Sequence, residues 1–143
     1  MFKITPVEDK ALQEELCTVC GVPFLTGDFC YLAANVTDDG SKLLGILGIC
    51  QCYFRGEAGI IHNVTPFPGT YDEEVIIIMV RTAMSFLYRC GIQDVILDEG
   101  ACDPVLAKKM GFLPDENGNP AIDLKRFYIS PCHYNKDEKD EEK

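Results

Sequence analysis

His62 and Asn63 stand side by side inside an otherwise apolar run, Ala58 to Val64. An imidazole is suited to take a proton from an amine, because it titrates near neutrality and is both acid and base there. A single strand histidine is more often a hydrogen-bonded packing residue, and Asn63 either orients a substrate or satisfies backbone groups; both readings stay open. Cys132 and His133 place a thiol beside the second imidazole. Adjacent side chains of an extended chain point apart, and no third group is visible to orient that base. Cys17 and Cys20 form a C-x-x-C, and Cys50 and Cys52 a C-x-C. These four soft donors would hold zinc if a helix end met a strand. They also fall on apolar faces where small buried hydrophobes belong, so no metal is expected. Thioredoxin-like redox chemistry is not expected either, because the C-x-x-C does not follow a strand and open a helix.

The chain that carries these groups has 143 residues, 47% hydrophobic and 25% charged, with eight cysteines and a formal net charge of −10. That length suits one domain with one real core. Thirteen basic against 23 acidic residues leave too little positive charge to track a phosphate backbone, so no nucleic-acid partner is expected. No apolar run approaches the ~20 residues of a membrane span, and no apolar stretch follows a basic segment after Met1. The expectation is a cytoplasmic chain with no membrane partner, whose cysteines are free thiols.

Periodicity supplies the elements. Phe2 to Val7 reads as an edge strand. Glu8 to Cys20 reads as a helix with Ala11, Leu12, Leu16, Val19 and Cys20 on one face, stopped by Gly21 and Pro23. Phe29 to Val36 and Leu43 to Phe54 form an antiparallel hairpin, and Ala58 to Val64 is a strand that must end near Thr65, ahead of Pro66 and Pro68. Strict alternation sets Ile60, His62 and Val64 on one face and Ile61 and Asn63 on the other. Thr70 and Glu73 make a capping box for a helix from Tyr71 to Gly91, with a broad apolar stripe from Val75 to Cys90. Ile92 to Leu97 is a short buried strand, and Asp103 with Pro104 opens a helix ending at Gly111. Asn117 to Pro120 turns into a last strand from about Ile122 to Ile129. Residues 1 to 135 then make one domain and 136 to 143 a charged, solvated tail. The fold class is α/β, a mixed and mostly antiparallel central sheet flanked by helices.

That order and two local patterns resemble the GNAT superfamily of acyl-CoA-dependent N-acyltransferases, over roughly Phe2 to Ile129. The run Ile60 to Val64 with Thr65, Pro66 and the following helix is similar to the family's central strand, Val-x-Pro exit and cofactor-binding helix. Ala107 to Phe112, Ala-Lys-Lys-Met-Gly-Phe, is similar to the family's Tyr-x-x-Leu-Gly-Phe. The resemblance implies an acyl-CoA donor such as acetyl-CoA and a small-molecule amine as acceptor. It implies that His62 is the base and that Asn63, Val64, Gly69, Thr70 and Tyr71 occupy cofactor-binding positions, with backbone N–H groups near Val64 polarising the thioester carbonyl. The alternative is a non-catalytic relative that binds another small ligand or a protein partner. The family's phosphate loop, Arg or Gln, two residues, Gly, one residue, then Gly or Ala, falls on Pro68 to Glu73, where Pro68, Tyr71 and Glu73 hold its three defining positions. Asp72, Glu73 and Glu74 occupy the first helical turn, either as ordinary helix capping or as a charge that opposes diphosphate. The family's tyrosine aligns with Ala107.

Overall fold

The computed structural model describes residues 1–129. The Cys132–His133 pair and the charged tail lie outside them. Seven strands, β1 (Phe2–Val7), β2 (Phe29–Val36), β3 (Leu43–Arg55), β4 (Ala58–Pro66), β5 (Asp94–Leu97), β6 (Leu113–Pro114) and β7 (Pro120–Asp123), form one sheet in the order β1-β2-β3-β4-β5-β7-β6. Only β4 and β5 are parallel, from Ala58↔Asp94 to Ile61↔Leu97; every other neighbouring pair is antiparallel. The crossover that a parallel pair requires is the helix α2 (Glu73–Arg89).

Alternation along the central strands sorts the interior into two layers. Tyr31, Ala33, Cys50 and Cys52 face α2, together with Val75, Ile76, Met79, Val80, Ala83 and Leu87 from the helix. Cys30, Leu32, Ala34 and Ile49 face the other way, against Leu16, Cys17 and Cys20 of α1 (Lys10–Cys20). The helix stripe read from the sequence therefore packs as expected on α2. On α1 it is rotated: Leu12 and Val19 are exposed, and Gln13 is fully buried in their stead. The cause is a polar partner beneath the helix, described below, which makes a glutamine the better buried residue.

Two further expectations are corrected. Thr70 and Glu73 form no capping box: the Thr70 hydroxyl donates to the Phe67 carbonyl at 2.9 Å and Glu73 pairs with Lys109. Asp72 is the N-cap, its Oδ1 accepting from the Val75 N–H at 3.3 Å, so α2 starts at Glu73 rather than Tyr71. The last strand stops at Asp123, whose carboxylate takes the Arg126 N–H at 3.2 Å and opens the short helix α4 (Leu124–Ile129). Leu124 is fully buried, and the Arg81 guanidinium lies 5.9 Å from the Phe127 ring. The helix α3 (Pro104–Lys109) opens on Asp103 as read.

Gly48 marks how closely α2 approaches the sheet. A β-carbon there would lie 2.8 Å from Ile76 Cδ1 and 2.9 Å from the Thr65 carbonyl oxygen. The side chain can yield but the backbone carbonyl cannot, so Gly48→Ala is expected to lower unfolding stability by about 1–3 kcal/mol. Urea unfolding with an unchanged slope checks this; a loss under about 0.5 kcal/mol would contradict the close approach.

Candidate active site

A β-bulge builds the site. Gln51 pairs with Asn63 and Cys52 with Ile61, so His62 is an extra residue that β3 does not match. Two consecutive side chains of β4 then meet the α1 face of β3. His62 stacks on Tyr53, ring centroids 4.1 Å apart and 17° from coplanar, while Asn63 Oδ1 accepts from Gln51 Nε2 at 2.8 Å. Ile61 and Val64, three residues apart, both join the α2 layer. Strict alternation, with Val64 on the His62 face, is thus overturned by one inserted residue.

His62 Nδ1 lies 2.5 Å from Oδ2 of Asp28, which is 4% exposed. Burial pushes the Asp28 carboxyl up, while the hydrogen bond and charge of His62 and the Lys10 ammonium pull it back. Lys10 Nζ also donates to the Asp28 backbone carbonyl, which ties α1 to the start of β2. With Nδ1–H donated to the carboxylate, Nε2 carries the free lone pair. It is the open edge of a side chain that is 19% exposed, and Asp98 Oδ2 lies 3.9 Å away across it.

Beside this pair runs a chain of buried amides. Lys10 Nζ donates to Gln13 Oε1 at 3.0 Å, Gln13 Nε2 to Gln51 Oε1 at 2.9 Å, Gln51 Nε2 to Asn63 Oδ1, and Asn63 Nδ2 to Thr65 Oγ1 at 2.9 Å. Gln51 also holds the loop after α1, through the Pro23 carbonyl at 3.0 Å and the Leu25 N–H at 3.3 Å. Asn63 therefore spends its amide inside the scaffold. No enclosed side-chain nitrogen or oxygen among the described residues lacks a partner.

The remaining positions lie toward the end of β4. Beyond Ile61↔Leu97 the chain does not leave β4: Asp98 N–H donates to the Ile61 carbonyl at 2.9 Å, and Val64 N–H donates to the Ala101 carbonyl at 2.8 Å. The turn from Asp98 to Ala101, with Gly100 at φ +74°, thereby continues the parallel pairing. Gly69, at φ +80°, sits in the Phe67–Thr70 turn, and Tyr71 is exposed ahead of α2. At the start of α2 both Glu73 carboxylate oxygens meet Lys109 of α3, at 3.0 and 3.3 Å. Ala107 is buried and lines a cavity of about 330 Å³ with Phe112 and Pro120.

The cysteine motifs lie in different layers, Cys17 and Cys20 on α1 between that helix and the sheet, and Cys50 and Cys52 on the face of the sheet that meets α2. Among the described residues no three His, Cys, Asp or Glu side chains converge as metal ligands. Burial pushes the Cys30 thiol from 9.0 to about 12, and Cys102 to about 11. A raised thiol keeps its proton in the native state while the unfolded chain ionises near 9, so its stabilising contribution is complete below about pH 9 and is lost as pH rises toward 12. Unfolding free energy is expected to fall above pH 9 by ~1.4 kcal/mol per pH unit from Cys30 alone. A flat profile between pH 9 and 10.5 would contradict it.

No family model and no curated protein sequence matches the chain. Solved structures do. An acetyltransferase of the GNAT family from Staphylococcus aureus Mu50 superposes with a TM-score of 0.61 at 12% identity, over 87% of this chain and 99% of that one. The Bacillus subtilis acetyltransferase in complex with CoA gives 0.58 at 16% identity, over 79% and 77%. The aminoglycoside 6'-N-acetyltransferase from Enterococcus faecium gives 0.56 at 12% identity, over 85% and 97%. The mixed sheet with one parallel pair bridged by α2 is thus a GNAT fold. The expected fold class and the resemblance to that superfamily's architecture hold.

Asp28, Tyr53, Asp98 and the Gln13–Gln51 pair went unread in the sequence. Gln51 did carry a signal, a single amide inside the run Gly-Ile-Cys-Gln-Cys-Tyr-Phe. Asp28 carried none, because an aspartate after a glycine reads as a turn residue.

Proposed function

We propose that the chain is an N-acyltransferase, moving an acyl group from a thioester to a small amine, with His62 as base and Asp28 as its positioning residue. The observation that carries this reading is the bulge that sets His62, oriented through Nδ1, two residues before Val64 on β4. Nε2 accepts the proton that the amine must lose, the Asp28 carboxylate stabilises the resulting imidazolium, and Asp98 lies within electrostatic reach of a cationic amine. The amine nitrogen bonds to the acyl carbon as the thioester carbon–sulfur bond breaks, and the departing thiolate leaves as the thiol with the proton that the imidazolium gives back.

The diphosphate end of coenzyme A is poorly served by this chain. The helix start that would receive diphosphate is capped by Asp72 and followed by Glu73 and Glu74, so the dipole there already has its anions. We therefore infer a donor recognised through its acyl-pantetheine arm. Acetyl-CoA and acetyl-pantetheine should raise the melting temperature alike; at a hundred times the dissociation constant either stabilises by about 2.7 kcal/mol. A shift with acetyl-CoA alone would restore the diphosphate contact, and no shift with either would end the acyltransferase reading.

A second reading rests on the Val64–Ala101 bond. With that N–H already satisfied, a non-catalytic protein that keeps the sheet and binds a different ligand or a partner needs no rearrangement. Absence of a shift with both thioesters favours it.

A further inference from the structure

A cavity of about 580 Å³, which His62 does not line, opens where the end of β1 and the start of β2 meet the last turn of α2. Its floor is aromatic. Phe29 lies edge-on to Phe86 at 5.1 Å and to Tyr31 at 6.3 Å, and Tyr31 meets Phe86 at 6.3 Å. Its rim carries Lys10, Arg89 and Glu8.

Two polar groups in this cavity are unspent. Tyr31 is 6% exposed, and its hydroxyl makes no hydrogen bond among the described residues. Since no enclosed polar side-chain atom there is left unsatisfied, that hydroxyl faces the open space of the cavity it lines. Arg89 likewise has no hydrogen-bond or ion-pair partner among the described residues. Burial pushes the Tyr31 phenol up and the Arg89 charge pulls it back, as expected of a guanidinium near the hydroxyl. A basic residue in the last turn of a helix complements the dipole, which explains Arg89 but not a phenol hydroxyl turned into the cavity beside it. Lys10 is committed to Gln13 and the Asp28 carbonyl, so among the described residues that line the cavity Arg89 is the cation left for a ligand.

We propose that this cavity binds a small aromatic carboxylate, its ring against Phe29 and Phe86 and its carboxylate on the Arg89 guanidinium and the Tyr31 hydroxyl. The volume lies within the range of small-molecule sites, and a few convergent polar groups over an apolar wall are their usual composition. A planar guanidinium fork matches a carboxylate in two hydrogen bonds, and an aromatic floor selects for a ring.

The test is a nuclear magnetic resonance titration of the full chain with phenylacetate, phenethylamine and acetate in parallel. Phenylacetate should saturate, with amide shifts concentrated at Phe29, Tyr31, Phe86 and Arg89, and bind about tenfold or more tightly than the amine or acetate. Arg89→Gln should weaken it about tenfold and Tyr31→Phe several-fold, both without change in melting temperature. Lack of saturation by about 10 mM phenylacetate, equal binding of phenethylamine, or affinity unchanged in both variants would each overturn the proposal.

Discussion

A Gln51→Met variant is expected to unfold about 4 kcal/mol more easily than the parent chain. Methionine matches glutamine in length and volume but neither donates nor accepts strongly, so packing is kept while four bonds disappear. They join Gln51 to Gln13 Nε2, Leu25 N–H, the Pro23 carbonyl and Asn63 Oδ1, around a side chain with no exposure. Each stranded buried group costs about 1–3 kcal/mol, less whatever local shifts recover. Replacing Gln13 and Gln51 together by methionine should cost less than the two single changes added, because each removes a partner the other has lost. Urea unfolding of the four proteins gives the coupling. A single-variant loss under about 1 kcal/mol would mean that the amide chain does not hold α1 to β3.

His62→Gln is expected to lower acyl transfer by 10²–10⁴-fold at saturating substrate, the usual contribution of a positioned base. Asp28→Asn should lower it about 10–100-fold through loss of tautomer control, with a smaller effect on KM. An unchanged kcat in His62→Gln would remove that residue from the chemistry. A second readout needs no substrate. The Asp28 carboxyl is raised by burial and held back chiefly by His62. A raised carboxyl contributes its stability in full below the unfolded value near 3.9 and loses it as pH climbs through the folded value. Removing His62 lifts Asp28 further and deepens that loss, so His62→Gln should be more destabilising at pH 7 than at pH 4. Equal destabilisation at both would show that the pair is not coupled.

The layers of this fold were legible because they rest on local rules. β2 and β3 lie between turns that contain Gly27, Gly40 and Gly56, and the α2 stripe repeats at helical spacing over 17 residues. The site was half legible. His62 stood out as an imidazole in an apolar strand, but its surroundings depend on a bulge that no pattern announces. One unmatched residue moved Val64 to the opposite layer and turned His62 toward a carboxylate 34 positions earlier. The start of α2 departs from its local pattern for a related reason. Thr70 and Glu73 have the spacing of a reciprocal cap, yet a turn at Gly69 and a lysine 36 residues away compete for the same groups. Local patterns state which bonds are available; tertiary contacts decide which are made.

Under the acyltransferase proposal, in which the donor carbonyl takes the Val64 N–H, the hydrogen bond from Val64 to Ala101 is an intramolecular rival. A carbonyl tethered four residues past the end of β5 is present at a very high effective concentration, which a diffusing thioester would have to outcompete. Such a bond nets about 0.5–1.5 kcal/mol, so the turn would stand open in roughly a third to a tenth of molecules, and apparent affinity would fall by the same factor. Opening would then precede binding, and the observed association rate would level off at high donor concentration instead of rising without limit. A side chain at Gly100, which sits at φ +74°, would strain the closed turn and shift that equilibrium toward opening.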